Sequence, residues 1–543
     1  MKRFFKLVAL VGAFIGSVQI ADACTNFIVT RGASTDGSNM VTYAADSHGL
    51  YGALYQYIPG KYTEWMDVTE WDTGRYVGKI KQAETRYRTL GNSNEHSLFI
   101  TETTFGGRPE LEDPNGGIDY GSLIYITLQR AKTAREAIDI IVDLANTYGY
   151  CSSGESFSLI DTEEAWIMEL IGKGPNNKGI VWVARRIPDG YVSAHANQAR
   201  ITTFPWNDPE NCLYAADVAQ VARDFGWYSG SNEDFSFADA YAPLDFGAMR
   251  GCEARVWSFF RTVADDMDQY EDYAMGHNPN NRMPLWVYPK MRISPKMLMD
   301  CMRDHYEGTK MDMTADIGAG GEGCPYRWRP MYFEVDGVEY CNERAIATQQ
   351  TGFWLVGQAR PGKKGILWFG TDDAATSPLT PVYVNSLEVP YCLQEGNGTM
   401  LKYSDEAMFW ITNRVAQFAY LRYNSVGKQV RNVVDAWENQ ALAWVEQMDA
   451  AIAKAGNEKK QDKIATKFTV KTAQTLFDKW VELDKYLMVK YIDGNVKGED
   501  EKGFIDNGNG KDIPGKIGQP GYSGVWKRAV AADNGEVLRV VKY

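Results

Sequence analysis

The residue with the most chemical promise is Cys24, because of what precedes it. Lys2, Arg3 and Lys6 form a basic start, residues 7–20 are uncharged and mostly apolar, and Ala21-Asp22-Ala23 supplies the small residues of an A-x-A cleavage pattern. The apolar stretch falls short of the ~20 residues needed to span a bilayer, so it reads as a removable leader. No later stretch reaches that length. Cleavage at Ala23-Cys24 would make Cys24 the first residue of an exported chain, periplasmic or secreted. A cysteine in that place brings its own base, since an α-amine titrates near ~7.7–8 and a thiol near ~8.5. Nucleophile and proton acceptor then share one residue, and no histidine partner is required. Two plainer readings stand beside this one. Cys24 is simply a small residue past a cleavage site, or it is the lipid-modified first residue of a surface lipoprotein. Lipid attachment wants a branched or leucine-like residue three places before the cysteine and a small uncharged one two before, which Ala21 and Asp22 fit poorly.

Other reactive patterns are weak. The eight cysteines, at 24, 151, 212, 252, 301, 324, 341 and 392, include no C-x-x-C pair, which removes zinc-ribbon and thioredoxin-like readings. Export permits disulfides, but with Cys24 as nucleophile the remaining seven cannot all pair within one chain. The five histidines include no H-E-x-x-H, and residues 510–516 read G-x-x-x-x-G-K but continue with Ile517 and contain Pro514. No metal or organic cofactor is expected. The net charge of −13 becomes −15 once the leader takes away three cations and one carboxylate. So acidic a surface, with no basic stripe, repels phosphate backbones and excludes nucleic acid as a partner. Sixteen Trp and 31 Tyr fit a large β-rich core, with a stacking surface for sugars or peptides as the alternative.

Which elements would position Cys24? Residues 25–30 and 39–45 are β-like and flank Asp36-Gly37, a hairpin signal. A symmetric turn there brings Asp46 back to within about three residues, roughly 10 Å, of Cys24, although a one-residue slip would flip its face. Residues 119–130 are apolar enough to be buried. Thr133-x-x-Glu136 is a capping box, and Ala134, Ile138, Ile141 and Ala145 recur at helical spacing up to Gly149. Four β-like runs, 157–161, 165–171, 179–187 and 191–196, read as a meander. Hairpins and helices without a βαβ rhythm predict an α+β fold of antiparallel sheets covered by helices. Beyond residue 400 the pattern turns helical, over 404–423, 430–455 and 469–490, and 499–524 reads as irregular. The expected division is a leader at 1–23, a catalytic domain at 24–400, a helical extension at 401–490 and an irregular tail at 491–543.

The residues around Cys24 resemble a known family. Cys24-Thr25-Asn26-Phe27-Ile28-Val29, then Gly32-Ala33-Ser34-x-Asp36-Gly37-Ser38, then Ala45-Asp46-Ser47, are similar to the start of the cysteine-type dipeptidases of the N-terminal-nucleophile (Ntn) class, peptidase family C69. Supporting segments are Glu102-Thr103-Thr104-Phe105-Gly106-Gly107, Glu155-Ser156-Phe157, Trp166-Ile167-Met168-Glu169, Ala194-His195-Ala196-Asn197-Gln198-x-Arg200-Ile201 and Ile366-Leu367-Trp368-Phe369-Gly370-x-Asp372-Asp373.

The resemblance implies an αββα sandwich and an enzyme that cleaves short peptides, dipeptides above all, through a thioester on Cys24. Asp46 would hold the α-ammonium, or else be an exposed strand-end carboxylate. Asn197 would donate to the oxyanion, or cap a turn. Arg200 would bind a substrate carboxylate. Glu102, with Asp46 and Glu169 as alternatives, would meet a substrate ammonium. His195 would line the site or be a satisfied core histidine. Many members carry Arg three positions before the Asp, where this chain has Tyr43, so the thiol would lack that cation. An Ntn acylase acting on bile-salt or penicillin-type amides is the nearest alternative, and a glycan- or peptide-binding lipoprotein a more distant one. Homo-oligomerisation is left open.

Overall fold

The computed structural model describes residues 24–543 except residue 176, so the leader read at 1–23 lies outside the described residues. The principal strands are β1 (Asn26–Val29), β2 (Asn39–Asp46), β3 (Phe99–Gly106), β4 (Gly154–Ile160), β5 (Ala165–Gly172), β6 (Ile180–Arg186), β7 (Val192–His195), β8 (Thr351–Ala359), β9 (Ile366–Thr371) and β10 (Thr380–Tyr383). The principal helices are α1 (Tyr120–Leu128), α2 (Ala134–Tyr148), α3 (Ala254–Val263), α4 (Met408–Leu421), α5 (Lys428–Ala453) and α6 (Glu458–Tyr491). One seven-stranded sheet runs Trp286–Val287, β7, β1, β2, β8, β9, β10; an eight-stranded sheet contains β6, β5, β4 and β3 in that order. All the ladders in both are antiparallel.

Two-sided burial explains the near-continuous apolar strands. Every residue of β2, β5 and β8 is buried, because each sheet faces the other on one side and helices on the other. At Gly357 of β8 the sheets come so close that a Cβ would stand 2.5 Å from the Phe99 ring of β3, so only glycine fits. Helices α1 and α2 cover the outer face of the eight-stranded sheet with their own apolar core. On the outer face of the other sheet, α3 stacks Phe259 on Phe27 of β1 at 4.0 Å, and α4, α5 and α6 pack on β9 and β10. The result is the expected αββα sandwich. Part of the aromatic excess belongs to the core: Trp166, Trp257, Trp354, Trp368 and Trp480 are among the largest fully buried side chains.

Three local expectations need revision. The four β-like runs are not one meander: β4, β5 and β6 stay together, but β7 crosses to the other sheet and pairs with β1, Asn26 opposite His195. The Pro188-Asp189-Gly190 turn makes the crossing, with the Gly190 N–H donating to the Thr30 hydroxyl at 2.9 Å. Helix α6 begins at Glu458, 11 residues before its apolar periodicity starts, capped by Asn457 accepting from the Lys460 amide. In the tail, residues 524–534 form a helix capped by Ser523. Helix α2 starts where the capping box predicts, Thr133 accepting from the Glu136 amide at 3.2 Å, while the Glu136 carboxylate reaches back to the Lys132 amide. The segment read as an extension beyond residue 400 supplies a helical layer of the sandwich, since α4, α5 and α6 share the core of the seven-stranded sheet.

Candidate active site

Cys24 leads into β1 in the middle of the seven-stranded sheet, with Thr25 bridged to Ala44 of β2. The hairpin is lopsided. A short 3-10 turn at Arg31–Ala33 makes Val29 pair with Met40, so the turn is centred between Ser34 and Thr35 instead of on Asp36-Gly37. Continued by one residue, this register sets Cys24 against Ala45 and Asp46 one place further on. Asp46 is therefore nearer to Cys24 than a symmetric turn would bring it.

The thiol points across the sandwich. Its Sγ lies 3.4 Å from Glu102 Oε1 of β3 and 3.9 Å from the Tyr43 hydroxyl, which itself donates to the same carboxylate oxygen. Tyr43, at the position where a cation was missed, thus orients an acid. Glu102 sits beside Glu155 of β4, whose Oε1 accepts from the Thr104 hydroxyl at 2.7 Å. Burial pushes Glu102 up to about 7, against hydrogen bonds from Tyr43, Glu155 and Cys24 that lower it. Burial, then the charge of Glu102, raises Glu155 well above the carboxylate range. Glu155 is the member that keeps its proton, and among the described residues no arginine or lysine pairs with either. At the rim, Asp72 is exposed and accepts from the Tyr120 hydroxyl at 2.8 Å. One end of the site is therefore acidic and tyrosine-lined.

The other end is basic. Arg255 of α3, wholly buried, donates from Nη1 to the Cys24 carbonyl (2.7 Å) and the Thr25 hydroxyl (2.8 Å), and from Nη2 to the Ala196 carbonyl (3.1 Å) and Asn197 Oδ1 (2.9 Å). One guanidinium thereby ties the start of β1 to the loop after β7. Asn197 adopts the left-handed conformation, φ 60°, and its Nδ2 donates to the Thr104 carbonyl at 2.7 Å. Both ends of the amide are held, which fixes its orientation. Asp46 is buried, with the Thr351 hydroxyl donating to Oδ1 at 2.6 Å. Burial raises it to about 7, opposed by that hydrogen bond and by Arg255, Arg344 and Arg329. A cleft of about 420 Å³, lined in part by Phe105, Gly107, Asn197, Gln198 and Cys252, opens beside Asn197.

Other expected site residues are occupied elsewhere. Arg200 is buried in an ion pair with Glu253 (2.9 Å) and donates to the carbonyls of Ala194, Leu285 and Pro284. Those partners direct it into the protein and away from a substrate carboxylate. Glu169 accepts the Arg200 and Ile201 amides at 2.5 and 3.0 Å, and so caps the turn after β7. His195 bridges the hydroxyls of Thr103 and Ser158, both at 2.7 Å, and burial, then the charge of Arg200, lowers it to about 3. It is a satisfied, neutral core histidine. No disulfide joins the described cysteines, and no described helix is long and apolar enough to cross a membrane. Sequence reasoning missed Arg255, Glu155 as a site residue, Asp72 and Tyr120. Glu155 stood in a quoted motif, whereas Arg255 has no local pattern to mark it.

Two packed antiparallel sheets between helical layers, with a cysteine leading into a central strand, are the architecture of an Ntn hydrolase. The chain belongs to peptidase family C69, whose model matches residues 23–436. It is similar to a "Probable dipeptidase" of Salmonella dublin, 25% identical over 326 residues, covering 56% of this chain and 72% of that protein. It is also similar to "Dipeptidase A" of Lactobacillus helveticus, 22% identical over 492 residues, covering 85% and 95%. A "Dipeptidase" of Bifidobacterium longum is 23% identical over 478 residues, covering 80% and 84%. Among solved structures, penicillin V acylase from Agrobacterium tumefaciens matches with a TM-score of 0.29 at 12% identity, covering 68% of this chain and 88% of that one.

Proposed function

We propose that this chain is an exported cysteine dipeptidase whose working form begins at Cys24. The observation that carries the reading is the Cys24 thiol, 3.4 Å from Glu102 at the acidic end of the site. The family match beginning at residue 23 supports a start there, the dipeptidase names of the relatives support the substrate, and the A-x-A pattern supports export.

Once the leader is removed, the Cys24 α-amine takes the thiol proton and Sγ attacks the scissile carbonyl carbon. Asp46, one place beyond the residue facing Cys24, holds the resulting ammonium, which would draw its raised pKa back down. The oxyanion forms beside Asn197, whose amide Arg255 and Thr104 keep oriented; such a donor contributes roughly 10²–10³ in rate. The C–N bond breaks as the ammonium returns its proton to the leaving amine, leaving a thioester. Water, deprotonated by the same amine, releases the first amino acid and restores the thiol.

In a dipeptide the ammonium sits on the carbon next to the attacked carbonyl, so it reaches Glu102 beside the thiol. A carboxylate facing a thiol opposes its ionisation. A substrate ammonium seated on Glu102, with Glu155 and Asp72 behind it, removes that opposition. An acylase slot at the same place would have to be apolar, because buried carboxyls facing an acyl chain are costly. The test compares dipeptides with their N-acetylated forms. The reading requires kcat/KM to fall at least ~10²-fold on acetylation; equal rates, or faster cleavage of taurine-conjugated bile acids, would replace it with the acylase.

A further inference from the structure

The acidic end accounts for one pole of a dipeptide. The other pole is a carboxylate, which in an extended dipeptide lies about 7 Å from the ammonium at ~3.6 Å per residue. Arg200 is spent in the core. Arg255 is spent on Cys24, Thr25, Ala196 and Asn197. A third arginine is not spent.

Arg344 lies in the segment just before β8. Its Nε and Nη2 are buried and have no hydrogen-bond partner, and among the described residues no carboxylate pairs with it. The neighbouring acid, Glu343, is taken by Arg250 at 2.5 Å, and Asp46 is held by Thr351. The segment is nonetheless firmly placed. Tyr306 donates to the Arg344 carbonyl at 2.7 Å, and the Arg250–Glu343 pair ties the segment to the turn that leads into α3 and Arg255. Next in line, Arg329 holds Gln350 Oε1 with Nε and Nη2 at 2.9 and 2.6 Å, and Gln350 in turn donates to the Asp46 carbonyl. Arg255, Arg329, Asp46 and Cys252 all act electrostatically on Arg344, and Cys252, two residues from the Arg250 that holds Glu343, lines the cleft beside Asn197. Burial, then the charge of Arg255, lowers Arg344 to about 9.

A guanidinium with two buried, unsatisfied nitrogens and more cations than anions acting on it is costly to fold. That cost is recovered when an anion arrives with two oxygens in one plane, the geometry of a carboxylate. We infer that Arg344 is the anchor for the α-carboxylate of the substrate, on the leaving-group side of Cys24. This rests on the dipeptidase reading above and adds to it the residue that limits the substrate to two amino acids. A longer peptide would carry a neutral amide where Arg344 needs a charge.

The experiment measures kcat and KM for alanyl-alanine, leucyl-leucine and their C-terminal amides, with wild type, Arg344→Met and Arg344→Lys. Thermal midpoints are recorded for all three proteins. The wild type should prefer the free acids by at least ~30-fold in kcat/KM, mostly through KM. Arg344→Met should lose that preference while melting no lower than wild type, because it removes an unpaired buried charge. Arg344→Lys should recover part of the preference, having the charge without the fork. A preference retained in Arg344→Met, or its loss accompanied by a lower melting point that Arg344→Lys restores without restoring preference, overturns the assignment and leaves the dipeptidase reading intact. Absence of dipeptide cleavage by the wild type overturns both.

Discussion

Two ionic regions of this molecule differ in completeness. Between the segment around residue 300 and α5, three cations meet three carboxylates. Lys296 contacts Asp300, Asp435 and Glu438 at 2.5, 2.6 and 3.2 Å. Arg303 pairs with Asp300 and Glu438 at 3.1 and 2.5 Å, and Arg431 with Asp300 and Asp435 at 2.5 and 3.0 Å. Asp300, Asp435 and Glu438 have the spacing of a metal site, yet the three cations already occupy it. Around Cys24 the charges are sorted instead of matched: Glu102 and Glu155 share one end, and at the other Arg344 pairs with no carboxylate among the described residues. A closed network holds the fold. An open pair of poles waits for a ligand with the opposite charges.

The largest effect expected is at the nucleophile. Cys24→Ala should abolish turnover on every substrate while leaving the melting point near wild type, and a thiol alkylator should label Cys24 in the active protein. Residual turnover with Cys24→Ala would mean that the open region is not the active site. Breaking the closed network should do the reverse. Glu438→Ala removes the fully buried carboxylate that Arg303 and Lys296 share, leaving them only the half-exposed Asp300 and Asp435, and should destabilise the protein by about 3 kcal/mol, with kcat per folded molecule unchanged in urea-titrated samples.

At the open region, Asn197→Ala should lower kcat by about 10²-fold or more with little change in KM. Near-normal kcat would leave Asn197 a structural bridge between Arg255 and the Thr104 carbonyl. Glu102→Gln should cut kcat/KM on unblocked dipeptides and spare N-acetylated ones. It should not destabilise, since burial already opposes the charged form.

The smallest effect is on pH dependence. Asp46 and Glu102 are both raised to about 7, from 3.8 and 4.5. Between pH ~4 and ~7 the folded chain therefore holds protons that the unfolded chain has released, and stability falls as pH rises through that window, by up to ~1.4 kcal/mol per pH unit for each group. Asp46→Asn should flatten its share of the slope. In the mature enzyme the Cys24 ammonium should already have reduced that share. A slope unchanged by Asp46→Asn, measured by urea denaturation from pH 4 to 8, would contradict the assignment.

The fold was legible where a pattern is local. The hairpin behind Cys24, the Thr133 cap and the β-like runs each announce themselves within a few residues. The destination of β7 did not, because crossing to the other sheet depends on where Pro188-Asp189-Gly190 aims the chain. The site divides in the same way. Cys24 and Asp46 share one hairpin, so their proximity follows from counting residues. Arg200 matched a motif, but only the packing of Glu253 shows that its guanidinium is consumed. Arg255 and Arg344 are ordinary arginines in sequence. What distinguishes them is which carbonyls and carboxylates are within reach, and those come from strands and loops tens to hundreds of residues away.

The central claim is that Cys24 supplies both thiol and base, and one comparison tests it most directly. Two forms of the protein are prepared, one beginning at Cys24 and one retaining a single uncleavable residue before it, each verified by intact mass. The account predicts dipeptide hydrolysis by the first and none by the second, with equal melting points, because an amide nitrogen cannot accept the thiol proton. Equal kcat for the two forms would contradict it.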